Sequence, residues 1–141
     1  MPLSQRLHEV VDALPLTPGL RVLEIGGAPG AAAREVARRI GPTGHILVLD
    51  RSPKGIRLTH TNCAEELDSG VLSTLCASVE DFSLNPSTER FDIAFACRVG
   101  ALDGRHPRLF RAALRSIAAA LKPGGQLYVD TGNPLQRIDL D

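Results

Sequence analysis

Arg21-Val22-Leu23-Glu24-Ile25-Gly26-Gly27-Ala28-Pro29-Gly30 is a short β-rich run that stops at a pair of glycines, and residues 31–40 follow at once with helical spacing. Ala33, Val36, Ala37 and Ile40 fall on one face of that helix. Glycines at a strand-to-helix turn permit positive φ and let a ligand approach the backbone closely. The unpaired N–H groups at the helix start favour a carboxylate or a phosphate. A dinucleotide fingerprint needs glycine at 26, 28 and 31, whereas this chain has Gly26, Ala28 and Ala31, so a pyrophosphate cradle fits poorly. No phosphate-loop lysine followed by serine or threonine occurs there either. Two acids remain: Glu24, two positions before Gly26, and Asp50, twenty-four positions after it. A carboxylate at the tip of a second strand accepts both ribose hydroxyls of an adenosine. The residues therefore favour an adenosine ligand without phosphates.

Outward from this turn the chain alternates between two periods. Residues 3–14 place Leu7, Val10, Val11 and Leu14 at helical spacing, and Pro15, Pro18 and Gly19 end that helix. Ile46-Leu47-Val48-Leu49 is almost continuously apolar, as suits a parallel strand buried on both faces. A helix is expected over residues 53–67, weakened by Thr59, His60, Thr61 and Asn62; strands are expected over 71–76 and 91–97. Residues 107–121 form a strong helical pattern with Leu109, Ala113, Ile117, Ala120 and Leu121 inward and Arg108, Arg111 and Arg115 on a solvated face. Pro123-Gly124-Gly125 stops it, and residues 126–130 make a fifth strand. Strands alternating with helices imply right-handed βαβ units and a parallel sheet. Such sheets bind ligands at the carboxyl ends of their strands, here after Ile25, Asp50, Cys76, Cys97 and Asp130.

Composition narrows the function classes. A chain of 141 residues is one domain, 1–141, because domains usually take about 100 to 200. Its apolar fraction of 43% and charged fraction of 23% are ordinary globular values. Sixteen basic residues balance sixteen acidic ones, so the basic excess of a nucleic-acid module is missing. The apolar runs are far shorter than the roughly 20 residues that span a bilayer, and the N-terminus lacks the apolar core of a secretory signal. Cys63, Cys76 and Cys97 are odd in number and form no CxxC pair, which argues against a disulfide framework or a zinc site. His8, His45 and His60 have no partner at metal-ligand spacing, so no metal is expected. The chain reads as a soluble, cytoplasmic domain with neither a nucleic-acid nor a membrane partner.

Residues 22–30, 46–50, 78–82, and Phe91-Asp92 through Leu121-Lys122-Pro123-Gly124-Gly125, taken in order, resemble the class I S-adenosylmethionine-dependent methyltransferases. The resemblance covers about residues 18 to 130. It implies a three-layer αβα sandwich with a Rossmann-like parallel sheet of order 3-2-1-4-5, and S-adenosylmethionine as cofactor. By the same resemblance Glu24, Gly26, Gly27, Ala28 and Gly30 surround the methionine end, Asp50 holds the ribose and Arg51 lies beside the adenine. Val79 offers its N–H to the adenine, and Cys97 lies near the methionine portion. Ser78 stands where many members carry an aspartate for the adenine amino group, so Glu80 or Asp81 is its substitute. Ala96-Cys97-Arg98-Val99 lacks the Asn-Pro-Pro-aromatic signature of amino-group methyltransferases acting on DNA or glutamine.

Only eleven residues follow Asp130, too few for the family's last helix and β6–β7 hairpin, so the chain is either a minimal form or a truncated one. Strand five then becomes a sheet edge, which the C-terminal tail or the second subunit of a homodimer is expected to cover. Methyl transfer from a sulfonium needs alignment and exclusion of water more than a fixed catalytic constellation. The candidate catalytic residues are therefore few: Asp103 and His106 in the loop after strand four, and Arg98 at its start. Arg98 is suited to a carboxylate of the acceptor or of the cofactor, or is a surface arginine over the next helix. The function expected is methyl transfer to an oxygen, nitrogen or sulfur nucleophile of a small-molecule acceptor. The alternative is a non-catalytic module that binds the cofactor or S-adenosylhomocysteine.

Overall fold

The structure, a computed structural model, describes residues 2–140. Every strand of the central sheet that reads as a continuous apolar run is covered on both sides. Val22, Ile46, Val48, Ile93 and Phe95 face one layer, while Leu23, Leu47, Leu49, Ala94 and Ala96 face the other. The first layer holds α1 (Gln5–Ala13), α2 (Ala31–Ile40), α3 (Pro53–Asn62) and α4 (Ala64–Ser69). The second holds α5 (Phe110–Ala120) and the segment 77–90, which contains Val79 and Phe82 and no helix. Ser4 caps α1 by accepting the Leu7 N–H at 3.2 Å, and Ser52 caps α3 by accepting the Gly55 N–H at 2.9 Å.

The strands are β1 (Arg21–Ile25), β2 (His45–Asp50), β3 (Leu72–Cys76), β4 (Phe91–Ala96), β5 (Leu121–Val129) and β6 (Gln136–Ile138). They stand in the order β3-β2-β1-β4-β5-β6, with β3-β2-β1-β4-β5 parallel and β6 antiparallel to β5. The five-strand order read from the sequence is present; the exposed fifth-strand edge is not. Residues 130–135 turn the chain back, and Gln136, Arg137 and Ile138 pair with Val129, Tyr128 and Leu127. The tail therefore supplies a short sixth strand, and the pairing positions of β5 nearest the site are occupied.

Two other boundaries differ for local reasons. The helix expected over 53–67 is split at Cys63, whose side chain is fully buried against the glycine turn. A Cβ on Gly30 would come within 2.6 Å of Cys63 Sγ, so the two segments fit only as built. β5 begins at Leu121, before the Pro-Gly-Gly stop. Leu121 pairs with Phe91 and Gln126 with Ile93, so residues 122–125 form a bulge in which Gly124 takes a φ of 82°.

Candidate functional site

The glycine turn after β1 is shaped by side chains beneath and beside it. Gly26 has a φ of 68°, and a Cβ there would lie 2.8 Å from Val99 Cγ2. A Cβ on Gly27 would sit 2.5 Å from Glu24 Cδ, so the buried Glu24 side chain would have to move. Glu24 is 3% exposed, its Oε1 has no hydrogen-bond partner, and it lines a cleft of about 500 Å³ with Gly27, Ala28, Cys97 and Arg98. Burial, and then the neighbouring Asp50 charge, push its carboxyl up to about 8. A buried carboxyl in that state lacks a donor or a cation, and it faces the cleft where one would enter.

Asp50 at the tip of β2 ties the turn to the next helix. Its Oδ2 accepts the Ala28 N–H at 3.1 Å and its Oδ1 accepts the Ser52 N–H at 2.9 Å. Gly26 N–H donates to Leu49 O at 2.7 Å and Ala77 N–H to Asp50 O at 3.1 Å, so the ends of β1, β2 and β3 are stitched together. There Asp50, Arg51, Val79 and Glu80 line a second cleft of about 240 Å³, whose other wall is the loop after β4. Gly26 and Arg98 line both clefts, which therefore adjoin.

The loop after β4 is held by its own bonds. Arg98 adopts a φ of 56°, the one positive value outside glycine among the described residues. Its N–H donates to Asp130 Oδ2 at 3.1 Å, and its carbonyl accepts from Arg105 Nη2 at 2.8 Å. Arg6 of α1 reaches across to pair with Asp130. Arg105 Nε lies 3.0 Å from both oxygens of Asp103 and holds that carboxyl below the usual carboxylate range. The His106 ring lies against Gly100, where a Cβ would be 2.4 Å from Cδ2. Burial first, then Glu24 and Asp130, push the Cys97 thiol up to about 12.

The structure thus gathers Glu24, Gly26, Gly27, Ala28 and Cys97 around one cleft and Asp50, Arg51, Val79, Glu80 and His106 around the other. Of the expected residues, Ser78, Asp81, Gly30 and Asp103 stand apart. Ser78 lines neither cleft and accepts the Asp81 N–H through its carbonyl at 3.3 Å. Gly30 is the left-handed N-cap of α2, packed on Cys63. Asp103 is turned into its ion pair with Arg105. Arg6, Arg105 and Val99 were not among the residues that the sequence singles out. Only Arg105 carried a local signal, two positions after an acid.

S-adenosylmethionine suits this site on the structure's own terms. The orphaned Glu24 carboxyl matches a cationic amino-acid end, the glycine turn admits close backbone approach, and Asp50 matches a ribose. Among the described residues no cluster could hold a metal ion, and no helix is long and apolar enough to cross a membrane.

A family model for a methyltransferase domain matches residues 22–125. The ubiquinone/menaquinone biosynthesis C-methyltransferase UbiE of Ectopseudomonas mendocina is 30% identical over 94% of this chain and 53% of its own length. A protein-L-isoaspartate O-methyltransferase of Methanothrix thermoacetophila is 26% identical over 90% of this chain and 54% of its own. A solved structure of coclaurine N-methyltransferase, bound to N-methylheliamine and S-adenosylhomocysteine, aligns with a TM-score of 0.70 at 15% identity. That alignment covers 87% of this chain and 34% of the other. The chain spans about half the length of the curated relatives it matches.

Proposed function

We propose, because this chain belongs to the class I S-adenosylmethionine-dependent methyltransferase family, that it binds S-adenosylmethionine and transfers the methyl group to a small-molecule acceptor. When bound, the cofactor would supply a sulfonium methyl whose carbon an acceptor lone pair attacks in line, the methyl–sulfur bond breaking to release S-adenosylhomocysteine and, for a protonated nucleophile, a proton passing to water. Glu24 meets the cofactor's ammonium group, and the turn at Gly26, Gly27 and Ala28 borders the methionine chain. Asp50 accepts the ribose hydroxyls through the lone pairs that its two backbone bonds leave open. Arg51, Val79 and Glu80 border the adenine. The observation that carries this reading is the buried, unpartnered Glu24 carboxyl under the glycine turn, with Asp50 at the adjoining strand end.

The acceptor enters beside the loop after β4, where Val99 and His106 line the cleft. Asp103 is a poor proton acceptor there, because Arg105 already holds both its oxygens. His106 also lines the cleft, and a nucleophile of oxygen, nitrogen or sulfur that needs deprotonation would use it. One experiment tests the whole reading: calorimetric titration with S-adenosylhomocysteine, followed by transfer of labelled methyl to a panel of small nucleophiles. Binding without transfer to any acceptor favours a non-catalytic binding module. No binding overturns the proposal.

A further inference from the structure

We propose that Arg98 is an oxyanion-binding residue, placed to hold a carboxylate or phosphate group where the two clefts meet. This deepens the methyltransferase reading and rests on it. Arg98 lines both clefts, so a group bound to it lies between the cofactor's amino-acid end and the acceptor. Its guanidinium has no hydrogen bond or ion pair among the described residues. No acid nearby neutralises it: Glu24, in the larger cleft, is buried and makes no ion pair, and the others are engaged elsewhere. Asp130 pairs with Arg6, Asp103 with Arg105, and Asp50 accepts two backbone N–H groups. Glu80 lines the smaller cleft, but so does Arg51. An unneutralised arginine fork remains, and its geometry matches two oxygens of one anion.

The backbone supports the same assignment. A φ of 56° suits glycine or asparagine far better than arginine, so the chain itself gains nothing from a long side chain here. Bonds to Asp130 and from Arg105 hold both peptide groups of Arg98 in that conformation and fix where the guanidinium starts. Backbone strain held in place by a surrounding network is a feature of ligand clamps and active sites.

One anion chemistry has two sources here, the cofactor's carboxylate and an anionic acceptor, and three probes separate them. S-adenosylhomocysteine carries the carboxylate, 5′-methylthioadenosine lacks it, and inorganic phosphate stands for the acceptor's anion. Each is titrated calorimetrically into wild type, Arg98→Asn and Arg98→Lys at constant ionic strength, with phosphate added to protein saturated with S-adenosylhomocysteine. Arg98→Asn keeps the left-handed backbone favourable and is expected to melt no lower than wild type, so lost binding reports the guanidinium. A loss of about tenfold or more for S-adenosylhomocysteine alone, with methylthioadenosine unchanged, assigns Arg98 to the cofactor carboxylate. A similar loss for phosphate alone assigns it to an anionic acceptor. Arg98→Lys should recover part of either loss, since it keeps the charge without the fork. Unchanged affinities for all three probes in Arg98→Asn overturn the proposal. Should wild type bind no S-adenosylhomocysteine, the cofactor reading falls, and phosphate titration of the free proteins still decides the role of Arg98.

Discussion

Glu24→Gln should make stability less sensitive to alkali, because the wild-type carboxyl is buried in its neutral form. Its pKa rises from 4.5 to about 8, through burial first and Asp50 second. In the unfolded chain the group ionises through pH 4.5; in the folded protein it stays protonated until about pH 8. Between those limits unfolding releases a proton, so wild-type stability falls with rising pH. One pKa unit corresponds to about 1.4 kcal/mol, so this group alone removes roughly 3–4 kcal/mol between pH 5 and pH 8. Glutamine cannot ionise and keeps nearly the same volume. Its extra buried N–H shifts stability by a fixed amount, and other titrating groups are common to both proteins. The stability difference between Glu24→Gln and wild type should therefore climb by about 1 kcal/mol per pH unit across this window. Urea unfolding of both proteins at pH 5, 6, 7 and 8 measures it. Parallel curves would refute the reasoning and show that Glu24 is ionised and solvated or paired.

The remaining expectations concern the same walls. Gly27→Ala forces a Cβ to within 2.5 Å of Glu24 Cδ, so it should lower stability by about 1–3 kcal/mol and weaken S-adenosylhomocysteine in calorimetry. Asp50→Ala removes the acceptor of the Ala28 and Ser52 N–H groups. Binding should weaken by about 1–3 kcal/mol, and an unchanged affinity would deny Asp50 its ribose role. Burial pushes the Cys63 thiol up to about 11 and the Cys97 thiol up to about 12, while Cys76 is exposed. Ellman's reagent at pH 8 should therefore find one fast thiol, which Cys76→Ser abolishes; a second fast thiol would contradict the burial of Cys63 or the raised pKa of the half-buried Cys97.

How much of this was legible in the chain depends on the range of the interaction. β1, β2 and β4 announce themselves because their apolar residues run without alternation, and both of their faces are covered. The α2 face of Ala33, Val36, Ala37 and Ile40 is the face that is buried. The break at Cys63 was not legible, since it follows from packing against Gly30, thirty-three residues away. β6 has three residues and no period of its own; pairing with β5 alone defines it. Within the site, Glu24 and Asp50 were visible as acids at strand ends. The ion pair of Arg6 with Asp130, and the strain at Arg98, arise from contacts that no local pattern encodes.

The pairing of Arg6 with Asp130 also sets an order of assembly. It joins positions 124 residues apart, whereas β1 and β2 find each other across a single short helix. Contacts of long sequence separation form late, because the intervening loop must be closed before they contribute. During synthesis the ribosome releases β1, β2 and β3 first, and these strands already present Asp50 beside the glycine turn. The wall made by α1 and the end of β5 is completed only after residue 130 has emerged. In the nascent chain the glycine turn and Asp50 therefore emerge well before the loop after β4 and Asp130, which complete the walls around them.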